Sequence, residues 1–201
     1  MTSRTQVALA RQAPTPPNDM QTSMLRMAVG GQDLAVPIED VREILEVGRL
    51  TALPRTPDFV RGVMNLRGAV VPVIDLAARV GQPAITIGRR SCVVVVKAEP
   101  PAMPDDEAGA PVDGHDALAS QGGALVVGLL VDAVLEVFDA PASGIEPVPA
   151  LGTHIAPAFL RGMTRNRGDV ISVLALDRVL ALDRVLAQQE LSALIAQHLP
   201  H

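Results

Sequence analysis

From Met24 onward, apolar and polar positions alternate along the chain. Leu25-Arg26-Met27-Ala28-Val29 alternates, Gly30-Gly31-Gln32-Asp33 interrupts the pattern, and Leu34 to Pro37 resumes it. A period of two marks a strand with one buried face, so strand, Gly-containing turn and strand predict a hairpin. Ile38, Val41 and Leu45 are then spaced for one or two turns of helix. Gly68 to Leu76 is a strongly β run, and Pro72 inside it predicts an edge position or a bulge, because proline cannot donate to a ladder. Ser91-Cys92-Val93-Val94-Val95-Val96 reads as a strand buried on both faces, and Leu125 to Val131 as another apolar strand.

Three stretches break this pattern. Residues 1–21 are polar and rich in proline through Pro14-Thr15-Pro16-Pro17, and are expected to form a disordered leader. Residues 99–123 hold Pro100, Pro101, Pro104, Pro111 and the acidic run Asp105-Asp106-Glu107, which predicts a long flexible insert. From about Leu174 the chain looks helical, with Ala175 to Leu180 repeated as Ala181 to Leu186. Leu182, Val185 and Leu186 share one helical face, and Leu191, Leu194 and Ile195 share roughly the opposite one. The helix therefore either breaks near Gln188-Gln189 or buries two faces.

An internal repeat organises the whole. Phe59 to Leu76 aligns without gaps to Phe159 to Leu176, one hundred positions later, with Phe, Arg-Gly, Arg-Gly and alternate aliphatics in common. Upstream, Val41-Arg42-Glu43-Ile44 matches Val134-Leu135-Glu136-Val137. Two copies are too few for a solenoid, so two similar β lobes are expected to pack together.

Composition narrows the function. Hydrophobic residues are 48% of the 201, yet there are three Phe and no Trp or Tyr, so Val, Leu, Ile, Met and Ala must build the core. The net charge of −5 and the missing aromatics oppose nucleic-acid binding, which relies on cationic contacts to phosphate and on stacking. No segment approaches the roughly 18 apolar residues of a membrane span, and the N-terminus lacks an apolar secretory core. One cysteine, Cys92, excludes an internal disulfide and fits a reducing compartment. A cytoplasmic protein without direct membrane insertion is expected.

Enzymatic chemistry finds little support. His115, His154, His198 and His201 show no metal-ligand spacing with Cys or carboxylates, and no phosphate-binding glycine loop or nucleophile elbow occurs. Asp105-Asp106-Glu107 lacks calcium-loop spacing, and Cys92 opens an apolar strand as an inert thiol would. No catalytic residue, metal or cofactor is assigned, which weighs against a hydrolase or a small-molecule barrel. What remains is the twice-present Arg-Gly pattern. Gly62 and Gly68 bracket a β segment, with Arg61 and Arg67 at its ends. Solvated arginines beside turns and an arginine-presenting surface for a partner carboxylate explain the pattern equally well.

Val41-Arg-Glu-Ile-Leu, Leu53 through Asn65-Leu66-Arg67-Gly68 to Leu76, and Gly128 to Val137 together resemble the CheW family of chemotaxis adaptors. The resemblance covers about residues 22–186. It implies a mostly β fold of two five-stranded SH3-like barrels packed together, with short helices between strands and a C-terminal helix. The lobes would be roughly 35–95 and 125–175 with a shared N-terminal strand, and 187–201 a helical tail. It also implies a non-enzymatic scaffold that couples chemoreceptor cytoplasmic tips to the regulatory domain of a CheA-type histidine kinase, in a flagellar or a pilus-based or other chemosensory array. By the same resemblance, Val41, Glu43 and Ile44 contact the kinase, and Gly62, Asn65, Leu66 and Arg67 serve receptor binding and coupling. The absence of receiver and phosphotransfer segments disfavours the CheV and CheA relatives.

Overall fold

The structure is a computed structural model and describes residues 21–54, 56–98, 125–141, 144–148 and 154–180. Ten strands and two short helices occur among these residues: β1 Gln21–Val29, β2 Gln32–Pro37, β3 Val41–Glu46, β4 Val60–Leu66, β5 Ala69–Asp75, α1 Leu76–Arg79, β6 Cys92–Ala98, β7 Leu125–Val131, β8 Ala133–Pro141, β9 Leu160–Asn166, β10 Asp169–Leu174 and α2 Leu176–Val179. They form two five-stranded sheets, ordered β3-β6-β7-β5-β4 and β8-β1-β2-β10-β9. The two orders correspond term by term. Each sheet has an antiparallel central hairpin, β6–β7 or β1–β2, joined in parallel to an outer hairpin, β4–β5 or β9–β10. This is the duplication foreseen from the repeat, in SH3-like sheets whose end strands do not pair to close a barrel among the described residues.

Each sheet draws strands from both halves of the chain. The hairpin 21–37 joins β8 to β10, and β7 crosses into the sheet of 41–98. The expected leader 1–21 lies outside the described residues except for Gln21, which begins β1. The insert 99–123, the second hexamer and the tail 187–201 lie wholly outside them. No helix among the described residues is long and apolar enough to cross a membrane.

The core follows from the alternation. Leu25, Met27 and Val29 of β1 and Leu34 and Val36 of β2 face the other sheet, where Val93, Val94, Val95 and Val96 are completely buried. Met24 and Ala35 point the opposite way, into a smaller cluster with Phe138, Ala140, Ile171 and Val173. Arg26 closes one end of that cluster. It is ion-paired to Asp33 on β2, to Glu136 on β8 at 3.1 Å and to Asp169 on β10 at 2.9 Å. One guanidinium thus ties four strands. Arg26→Met leaves three carboxylates without their common cation and is expected to lower stability by about 1–3 kcal/mol. The urea midpoint measures it, and an unchanged midpoint contradicts this role.

Two local expectations are corrected. Residues 38–45 form no α-helix: Ile38–Asp40 is a 3-10 turn and Val41–Glu46 is strand β3. Val41 and Leu45, four apart, share a face in either geometry, so their spacing was ambiguous, and pairing with β6 decides it. Pro72 lies on an interior strand between β4 and β7. The bulge in this hairpin falls at Val60/Gly62 instead. Val63 directs both its backbone groups to Thr51, so its pairing with Pro72 is the non-hydrogen-bonded kind. Pairing with β7 begins one residue later, at Val73, so the proline interrupts neither ladder.

Candidate functional site

The repeated Arg-Gly is the tip of each outer hairpin. Leu66 pairs with Ala69, leaving Arg67-Gly68 as a two-residue turn with φ of 53° and 91°. Both positive values define a type I′ turn, whose handedness suits strand twist and whose preferred residues are Asn-Gly. Arg67 therefore holds a left-handed conformation that disfavours a side chain with a Cβ. The Asn65 Oδ1 accepts from the Gly68 N–H at 2.8 Å and braces the turn. Arg67 donates from Nη2 to Glu43 Oε2 at 3.1 Å, while its own side chain stays 80% exposed.

The resemblance-derived residues are thus partly brought together. Arg67 and Asn65 are exposed on the tip, Leu66 is half-buried against the core, and Glu43 reaches Arg67 across the lobe. Along β3 the faces alternate: Val41 and Glu43 are half-buried, and Ile44 alone of the three points outward, 44% exposed. Gly62 is buried and marks no turn. A Cβ there would stand 2.2 Å from the Thr51 carbonyl oxygen, and its φ is +127°. Glycine is needed because the loop after β3 crosses β4 at this point, with Thr51 and Val63 exchanging two 2.9 Å backbone bonds.

Arg61 fits neither expectation. It lies half-buried, 3.8 Å from the fully buried Asp75, whose carboxylate accepts from the Ala78 and Ile85 N–H groups. Its role is structural. Arg79 went unnoticed in the sequence. Its guanidinium lies 5.0 Å from the Phe59 ring and 4.9 Å from the Phe159 ring, and donates to the Val179 and Arg178 carbonyls. It links the roots of both hairpins, and its place opposite Val179 in the repeat was the available signal.

The second lobe repeats the tip with a different electrostatic outcome. Arg167 also has positive φ, 51°, and is 84% exposed. Its counterpart acid, Glu136, is already bonded by Arg26 and Asn166, and Arg167 approaches it only to 4.0 Å. On β8, Leu135 and Val137 are exposed where β3 shows Arg42 and Ile44, so the second edge is the more apolar. The repeat had aligned these residues without giving them a role.

The site thus presents an exposed guanidinium at a hairpin tip and an outward aliphatic side chain on a strand edge. Cys92 is half-buried, and burial pushes its thiol above the ordinary range, away from the reactive thiolate.

A family model for the CheW-like domain matches residues 23–184. The chemotaxis protein CheW of Rhizobium meliloti (strain 1021) is 33% identical over 156 residues, covering 78% of this chain and 85% of that protein. Protein FrzA of Myxococcus xanthus is 33% identical over 141 residues, covering 70% and 72%. The crystal structure of the scaffolding protein TtCheW from Thermoanaerobacter tengcongensis aligns with a TM-score of 0.61 at 27% identity, covering 82% of this chain and 91% of that one.

Proposed function

The chain belongs to the CheW-like domain family, and on that premise we propose that it joins a chemoreceptor tip to the regulatory domain of a CheA-type histidine kinase without catalysing a reaction. The family makes it a chemotaxis coupling adaptor; the partner domains and contact residues are this proposal's own. The kinase domain meets the β3 edge, where Ile44 supplies the outward apolar contact and Glu43 sits behind it. The receptor tip meets the β4–β5 hairpin at Asn65, Leu66 and Arg67, while Gly62 acts from beneath by admitting the Thr51 crossing. An adaptor of this kind works in the cytoplasm beside membrane-bound receptors.

The observation that carries the reading is Arg67 in a left-handed turn position. Strained residues cost about 1–3 kcal/mol, persist only where the surrounding structure holds them, and cluster at functional sites. A bare turn would be better served by asparagine or glycine, and an exposed ion pair to Glu43 returns only about 0–1 kcal/mol. Pull-down of the full chain with a CheA regulatory domain, alone and with a receptor signalling fragment, tests it. Ternary assembly is expected, and failure to bind either partner overturns the reading. The likeness to FrzA is compatible with service in a non-flagellar array.

A further inference from the structure

Each outer hairpin borders an equivalent groove, and the two differ in chemistry. In the first lobe a groove of about 340 Å³ lies among Arg49, Thr51, Val63, Met64, Asn65 and Val70. In the second, a groove of about 300 Å³ lies among Glu146, Pro147, Met163, Thr164, Arg165 and Val170. Val63, Met64, Asn65 and Val70 correspond to Met163, Thr164, Arg165 and Val170 at the repeat spacing, and Thr51 and Glu146 are the two residues that bridge to the outer strand.

The second groove is obstructed by its own residues. Arg165 and Glu146 approach within 3.8 Å as an ion pair. The floor of this groove is Met163 and Val170, since Thr164 faces the core beside Ile171. A segment entering there would meet a rim whose one cation is already paired. The first groove has no such pair across it: Thr51 and Asn65 stand where Glu146 and Arg165 do. Val63, 3% exposed, and Val70 beside it form an apolar floor. Arg49 is exposed at the rim and has no ion pair among the described residues. The Asn65 oxygen is engaged by Gly68, which leaves its amide N–H groups to donate.

We propose that the first-lobe groove is an anchor pocket for an acidic protein segment, which inserts one aliphatic side chain over Val63 and Val70 and places a neighbouring carboxylate on Arg49 and Asn65. This rests on the hairpin as the receptor-binding face and names the chemistry that face selects. The groove is continuous with the hairpin tip through Asn65, and Arg49 gives it a positive rim in a chain of net charge −5. Its volume is at the small end of ligand sites, room for one or two side chains. A guanidinium that forks onto a partner carboxylate is a recurrent element of interface hot spots.

The test titrates a soluble receptor signalling fragment carrying its cytoplasmic tip into the full chain, with an isolated CheA regulatory domain as second titrant. Arg49→Glu is expected to weaken the receptor fragment at least about tenfold, more at low ionic strength, and to leave the kinase domain's affinity unchanged. Thr51→Glu with Asn65→Arg transplants the second lobe's ion pair across the groove and should weaken the same complex comparably. If that pair of changes lowers the melting temperature, the exposed Arg49 variant alone decides. Wild-type affinity in Arg49→Glu overturns the groove. So does a loss that follows altered self-association in light scattering, which would make the pocket a contact between copies of this chain. A wild-type chain that binds neither titrant overturns the adaptor reading on which the groove depends.

Discussion

Arg67→Asn is expected to melt at or above the wild-type temperature and yet lose ternary assembly with receptor and kinase. The two halves of this result have separate causes. Position 67 is the first residue of a type I′ turn with φ of 53°, where asparagine is favoured over arginine. The substitution relieves a strained conformation and gives up one exposed ion pair to Glu43, terms that are each on the order of 1 kcal/mol and opposed in sign. Against a partner carboxylate in a desolvated interface, loss of the same guanidinium costs about 2–5 kcal/mol, or at least roughly thirtyfold in affinity. Arg67→Lys should recover part of the binding, because an ammonium cannot reproduce the two-pronged fork. Burial of Arg67 between the lobes would predict unfolding instead, but its side chain is 80% exposed and its partner lies in its own lobe. Thermal melts run beside receptor-dependent kinase activation decide the matter. A destabilised Arg67→Asn, or a stable one with intact coupling, ends this assignment.

Gly62→Ala makes the contrasting forecast: coupling and stability fall together. The new methyl would sit 2.2 Å from the Thr51 carbonyl oxygen, backbone that cannot swing aside as a flexible side chain would, at a φ of +127°. Overpacking and backbone strain each cost roughly 1–3 kcal/mol, so a loss of about 2–5 kcal/mol is expected. That is a large part of the roughly 5–15 kcal/mol that holds a domain folded. The two 2.9 Å bonds between Thr51 and Val63 should break first, and hydrogen exchange at those amides should quicken more than at Val93 to Val96 in the core. A Gly62→Ala protein with wild-type melting and slow exchange at Thr51 would remove the crossing from the explanation.

These variants separate two kinds of residue that the sequence presents alike. Gly62 and Arg67 belong to one short motif and carry one inherited expectation of receptor coupling. In the structure the first is buried packing and the second an exposed tip. Arg61, which opens the motif, joins a buried carboxylate.

Local pattern alone determined a great deal here. Alternation located β1, β2 and the hairpin between them, and the valine run located β6, because a strand's period of two and its demand for β-branched residues are written in neighbouring positions. The exact hundred-residue spacing identified two related lobes, since equivalent folds need the same turn glycines and aliphatic rows in the same register. Tertiary structure alone decided whether 38–45 would be helix or strand, because Val41 and Leu45 face one way in both and only β6 broke the tie. It decided that hairpin 21–37 completes the sheet of β8 to β10, that Glu43 answers Arg67 while Arg26 claims Glu136, and that a backbone crossing at Thr51 forbids a side chain at Gly62. Each of these is a contact between residues distant in the chain, and sequence spacing fixes direction along an element but not which elements meet.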